Sequence, residues 1–175
     1  MHHANVGTGR FGRVLIRKAT ERDWPRIYPI YAAVMAEGRT YPFPEQQTLD
    51  EARPWWMEEP PGQTVVAITG DDIITGSAKM GPNRPGRGAH IATASFIVDP
   101  DRRDQGIGRA LGEYFLGWAR AGQFHGAQFN AVVDVNHPAV HLWQSLGFGI
   151  IGTVPEAFDH PDHGLVGLHV MYQKL

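Results

Sequence analysis

At 175 residues, 42% of them hydrophobic and 19% charged, the chain is long enough to bury a core and too apolar to remain disordered. A formal net charge of −2 gives no standing attraction to nucleic acid or to an anionic membrane surface, and the absence of cysteine excludes disulfides, a catalytic thiol and a thiolate metal site. No stretch approaches the ~20 apolar residues of a membrane span and no charged-then-apolar leader opens the chain, so a soluble, cytoplasmic protein is the default expectation.

Met1 to Gly12, with its His2-His3 pair and three glycines, reads as a flexible lead to one domain over residues 13–175. Arg13 to Ala19 reads as a first strand. Thr20-Glu21-Arg22-Asp23 then caps a helix carrying Trp24, Ile27, Tyr28, Tyr31, Val34 and Met35, with Pro29 inside it and Gly38 at its end. The aromatic and proline-rich loop Arg39 to Pro44 either borders a substrate pocket or forms a stiff surface connection. Thr48 to Glu51 is a second capping box, opening a short helix whose Trp55 and Trp56 read as core.

Thr64 to Thr69 and Ile73 to Met80, joined by a Gly-Asp-Asp turn, form an expected antiparallel hairpin. A glycine–proline turn, Gly81 to Gly88, leads into a strand from Ala89 to Val98. Pro100 stops that strand, and after it Ile107, Ala110, Leu111, Tyr114, Phe115 and Trp118 recur at helical spacing. Gly106 and Gly108 therefore sit where a helix begins, beside Arg102, Arg103 and Arg109. Unpaired N–H groups, the positive end of the helix dipole and added cations make such a start a site for a phosphate or pyrophosphate.

No G-x-x-x-x-G-K-[ST] occurs, which disfavours a P-loop enzyme. The dinucleotide fingerprint would need glycine where Leu111 stands, and Gly112 is one residue late. Further on, Phe129, Ala131 and Val133 alternate in a strand from Ala127, Asn136 caps a helix marked by Val140, Leu142 and Trp143, and Gly147 ends it. Phe148 to Val154 and Leu165 to Tyr172 read as the last strands, with a histidine-rich link from Glu156 to Gly164 between them. His160 and His163 in that link, with Asp159 and Asp162, fix no ligand geometry, and no metal site is expected.

Arg103-x-x-Gly106-x-Gly108 resembles the acetyl-CoA pyrophosphate loop of the GNAT superfamily of N-acetyltransferases. Asn136-x-x-Ala139-x-x-Leu142-Trp143-x-x-x-Gly147-Phe148 is similar to the second signature of that family, in the same strand–helix order. The resemblance implies an α+β, single-domain fold in which a mixed, mostly antiparallel sheet of about seven strands is flanked by about four helices. It implies an N-acetyltransferase with acetyl-CoA as donor, acting on the primary or secondary amine of a small molecule, an amino acid or its analogue. A non-catalytic CoA-binding regulatory module and a protein-lysine acetyltransferase stay open as alternatives. Neither nucleic acid nor membrane is an expected partner, and a homodimer is left open.

Carried over residue by residue, the resemblance sets the pantetheine arm along the main chain of Phe96, Ile97 and Val98. The pyrophosphate falls on Arg103, Asp104, Gln105, Gly106, Ile107, Gly108 and Arg109, and Asn136 and Trp143 complete the cofactor set. Two departures matter. Trp143 stands where many members place the tyrosine that protonates the departing thiolate, and no carboxylate lies on the strand from Ala89 to Val98. The catalytic candidates are Asn136, Asn130 and His90. Each has a structural reading beside it, as a helix cap, a solvent-facing strand residue and a structural histidine respectively. A narrower resemblance links the glycine–proline turn and the Asn130/Asn136 pair to fungal acetyltransferases of the proline analogue azetidine-2-carboxylate, with Thr93 replacing a third asparagine.

Overall fold

The structure, a computed structural model, describes residues 5–9, 12–70 and 72–175. The chain runs β1 (Asn5–Gly9), β2 (Gly12–Lys18), α1 (Trp24–Ala36), α2 (Leu49–Trp56), β3 (Gln63–Thr69), β4 (Ile73–Pro82), β5 (Ile91–Val98), α3 (Ile107–Ala121), β6 (Gly126–Val133), α4 (His137–Ser145), β7 (Gly149–His160) and β8 (Gly164–Lys174). Among the described residues one eight-stranded sheet forms in the order β1-β2-β3-β4-β5-β6-β8-β7. Every neighbouring pair is antiparallel except β5 and β6. The α+β class, the mixed sheet and the four α-helices are as the sequence implies. The eighth strand is Asn5–Gly9, which pairs with β2 where the sequence reads a flexible lead. His2 and His3 lie outside the described residues.

Burial on both faces explains the apolar strands. In β3, Val65 and Ala67 join the core under α3 and α4, while Val66 and Ile68 join the core under α1 and α2. Successive side chains of a strand point to opposite faces, so a continuous apolar run is what a doubly covered strand requires. Both expected capping boxes form, at Thr20/Asp23 and Thr48/Glu51. Trp56 is fully buried, its indole N–H donating to Ser77 Oγ at 2.9 Å, whereas Trp55 is exposed and tilts against Phe43.

The histidine-rich link is a correction. β7 continues to His160 and β8 begins at Gly164, so the expected link is the tip of a long hairpin. Phe158 and His160, two residues apart, turn inward and are buried, and Gly164 (φ 68°) closes the turn. Polar composition hid a strand with one buried face.

One topological feature positions everything below. β5 and β6 pair only at Ile91↔Gly126 and Ala92↔Ala127. Beyond these two pairs each strand runs on without the other, which opens a gap in the middle of the sheet.

Candidate active site

The gap is bordered at one end by the loop between β5 and α3. Asp99 accepts a hydrogen bond from the Asp101 N–H at 3.0 Å and holds a 3-10 turn over Pro100–Arg102. Asp104 (φ 61°) and Gly106 (φ 78°) adopt left-handed conformations, and Gly106 is the N-cap of the fifteen-residue α3. A left-handed residue followed by helical ones turns successive N–H groups toward one concavity, a shape that cradles an anion.

The three glycines here differ in role. A Cβ on Gly106 would meet nothing, so its side of the loop is open to a ligand. A Cβ on Gly108 would touch Leu142 at 3.5 Å, and one on Gly112 would collide with Leu146 at 2.7 Å and Trp143 at 2.9 Å. Gly112 thus lets α3 lie close against α4, a packing role rather than a place in a phosphate loop, whereas a side chain at Gly108 would make only ordinary contact. Two of the three arginines, Arg103 and Arg109, are already engaged. Arg103 pairs with Glu37 at the end of α1, and Arg109 donates to Ser145 Oγ at 2.6 Å.

A cleft of about 750 Å³ runs from this loop past Val98 and Phe96 to the start of α4. Its far wall includes Glu37, Arg39, His160 and Asp162, and the Arg39–Asp162 ion pair (2.8 Å) ties the loop after α1 to the β7–β8 tip. His160 and His163, read from sequence as part of a solvated link, border this cleft. Among the described residues no cluster of three metal-ligating side chains exists.

The open edge of β5 is narrower than the sequence suggests. The Asp99 N–H bonds Thr75 O at 2.9 Å in β4, so residues of that parity, Ile97 among them, turn their main chain to β4. Ile97 also buries its side chain in the α1/α2 core. It therefore offers nothing to the gap, a correction to its place in the expected arm-binding set. Phe96 and Val98 face the gap, and both peptide atoms of Phe96 are taken. The Tyr41 hydroxyl donates to Phe96 O at 2.6 Å and accepts from Phe96 N–H at 2.7 Å. Burial pushes the Tyr41 phenol above its ordinary range, and the bond from the Phe96 N–H only partly offsets this. Sequence reasoning missed Tyr41 as an individual. The aromatic, proline-rich loop was the available signal, and the structure favours its pocket-bordering reading.

A second cavity of about 270 Å³ fills the gap itself, lined by Tyr41, Phe43, Thr93, Phe129 and Asn130 among others. It shares Thr40, Phe96, Asn136, Ala139 and Trp143 with the cleft, so the two spaces meet at these residues. Asn136 caps α4, its Oδ1 accepting from the Ala139 N–H at 3.3 Å. Trp143 is buried with its ring 4.7 Å from Phe96 and 4.8 Å from Phe129. Asn130 sits at the cavity's rim, donating to Asn83 Oδ1 at 2.7 Å and accepting from Gln128 at 2.9 Å.

His90 is not part of this assembly. It is exposed, lines neither cavity, and lies beyond the far end of β5, about 20 Å along the strand from Phe96. Its carbonyl accepts from the His125 N–H at 2.8 Å, a structural role. The expected catalytic use of His90 is thus at odds with its position.

Residues 24–148 match the profile of the acetyltransferase (GNAT) family. The structure of a GCN5-related N-acetyltransferase from Kribbella flavida superimposes with a TM-score of 0.90 at 49% identity, covering 93% of this chain and 98% of that one. The L-amino acid N-acyltransferase MnaT of Escherichia coli is 30% identical over 146 residues, 81% of this chain and 83% of that protein. The N-acetyltransferase aca1 of Schizosaccharomyces pombe is 29% identical over 134 residues, 69% of this chain but 64% of its own longer length.

Proposed function

The chain belongs to the GNAT family of acetyltransferases, and from that premise we propose that it acetylates the primary or secondary amine of a small molecule, an amino acid or amino-acid analogue. Acetyl-CoA is the acetyl donor. The amine attacks the thioester directly, and the proton it loses ends on the thiol product. The observation that carries this reading is the meeting of two cavities at Phe96, Asn136 and Trp143. One is long and ends at an anion cradle; the other is compact and mostly apolar.

The donor fits the residues present. The N–H groups from Arg103 to Arg109 receive the diphosphate, and the open side of Gly106 leaves room for it. The Val98 main chain faces the space where the arm runs, and Asn136 and Trp143 border the acetyl end. A cavity of about 270 Å³ suits a small acceptor, and the name of the Escherichia coli relative points to amino acids. Holding amine and thioester together at one junction supplies much of the acceleration through positioning alone.

The test is a thermal shift followed by turnover. Acetyl-CoA at 100 times its dissociation constant is expected to stabilise the protein by about 2.7 kcal/mol. Thiol release is then followed across amino acids, proline analogues and phosphinothricin. Binding without release on any amine would replace this reading with a CoA-binding module.

A further inference from the structure

Tyr41 belongs to the loop between α1 and α2, yet its hydroxyl is fixed on the open edge of β5, where the two cavities meet. It holds both polar atoms of Phe96, one by donating and one by accepting. Its ring stacks on Phe43 with centroids 5.2 Å apart and meets Trp56 edge-on at 6.4 Å, so the hydroxyl is aimed by packing. Among the described residues lining the second cavity, Tyr41 is the one titratable side chain; the rest are aliphatic, aromatic, amide or alkyl hydroxyl. Trp143, on the α4 face of the junction, carries an indole N–H that donates hydrogen bonds without yielding its proton.

We propose that Tyr41 is the proton relay of the transfer, giving its hydroxyl proton to the departing sulfur while taking one from the attacking amine. This rests on the acetyltransferase reading above. The C–N bond forms as the C–S bond breaks with its electron pair going to sulfur. The proton leaving nitrogen enters Tyr41 Oη as the phenolic proton leaves for sulfur, so the products are an amide and a neutral thiol and the tyrosine is unchanged. The two valences the relay needs, one donor and one acceptor, are those that Tyr41 now directs at Phe96. One-way donation would reprotonate the sulfur but leave the proton of the amine without an acceptor, since no other titratable side chain lines this cavity among the described residues. Exchange of one proton for another avoids a free phenolate in the cavity.

The experiment combines Tyr41→Phe with 3-fluorotyrosine placed at position 41, which keeps the hydroxyl and its hydrogen bonds but makes the phenol more acidic. Tyr41→Phe is expected to lower kcat at least about 100-fold, the scale of general acid–base assistance, while calorimetric binding of acetyl-CoA changes less than about threefold. The fluorine resonance at position 41 is expected to move when acetyl-CoA is added and to stay in place with adenosine 3′,5′-bisphosphate, which lacks the arm. The fluorinated protein should melt as the wild type does and turn over at an altered rate. The relay is overturned if Tyr41→Phe keeps its kcat, if it loses kcat only in step with donor binding, or if the fluorine signal ignores acetyl-CoA. Should Tyr41→Phe not fold, the rate of the fluorinated protein decides alone. Wild-type protein that neither binds acetyl-CoA nor releases thiol would instead remove the acetyltransferase reading, and the relay with it.

Discussion

A single carboxylate near the start of α1 shows how residue chemistry becomes stability. Asp23 is 3% exposed and takes hydrogen bonds from Arg17 at 2.8 and 2.9 Å and from the Thr20 N–H at 2.8 Å. Arg17 foremost, then Thr20, holds its carboxyl well below the usual carboxylate range. A group whose folded pKa is depressed adds stability above its unfolded pKa of about 3.9 and loses it as the pH falls below that value. Asp23→Asn removes the ion pair and part of the capping box and is expected to cost about 2 kcal/mol at neutral pH. Melting curves between pH 7 and pH 3 should show the wild type's advantage over the mutant starting to shrink below about pH 4, as the unfolded chain takes up a proton at Asp23 while the folded carboxylate stays ionised. Equal melting temperatures at pH 7 would contradict the assignment. The capping partner was legible in sequence because Thr20 and Asp23 are three residues apart. Tyr41 and Phe96 are 55 apart, and no local pattern announces that contact.

Between elements, the decisive contact is that of α3 with α4. Capping boxes, proline stops and helical spacing made all four α-helices readable from the chain, and Gly106 at a helix start was readable as an anion site. What spacing could not convey is that Gly112 exists for Trp143 and Leu146. That contact arises only after α3 and α4 lie on the same face of the sheet. Gly112→Leu would drive a side chain into both, and overpacking of this kind costs about 1–3 kcal/mol. Because Trp143 forms the shared wall of the two cavities, this substitution is expected to weaken acetyl-CoA binding as well as stability. Chemical denaturation and calorimetry on the same protein check the two effects together. A loss of stability with donor affinity intact would show that α4 reaches the junction independently of α3. His90 illustrates the opposite error. A histidine beside a strand that borders a cleft invites a catalytic reading, yet position along the strand decides, and this one lies at the wrong end.

At the scale of the whole molecule, the strand order was the least legible property, since β8 inserts between β6 and β7 and no local signal fixes that placement. The insertion leaves β7 as the terminal strand of the sheet, twelve residues long, with residues 149–157 all exposed. Ile151 and Val154 on β7 are 63% and 53% exposed, and Leu165 on β8 is 61% exposed. A long terminal strand offers unpaired N–H and C=O groups, and proteins ordinarily blunt such edges with charge, proline or a cover. Here Pro155 and Glu156 interrupt the strand only after its apolar part, and Glu156 sits at a backbone irregularity with φ 52°. The apolar part of β7 is therefore expected to pair or pack with the same surface of a second copy, since an isologous contact satisfies both edges at once. Sedimentation at increasing concentration should show a dimer, and replacing both Ile151 and Val154 with lysine should shift the protein to monomer. Ile151 and Val154 line neither the cleft nor the second cavity, so the monomeric variant is expected to bind acetyl-CoA as the wild type does. Loss of donor binding on dissociation would mean instead that the second copy completes the cleft.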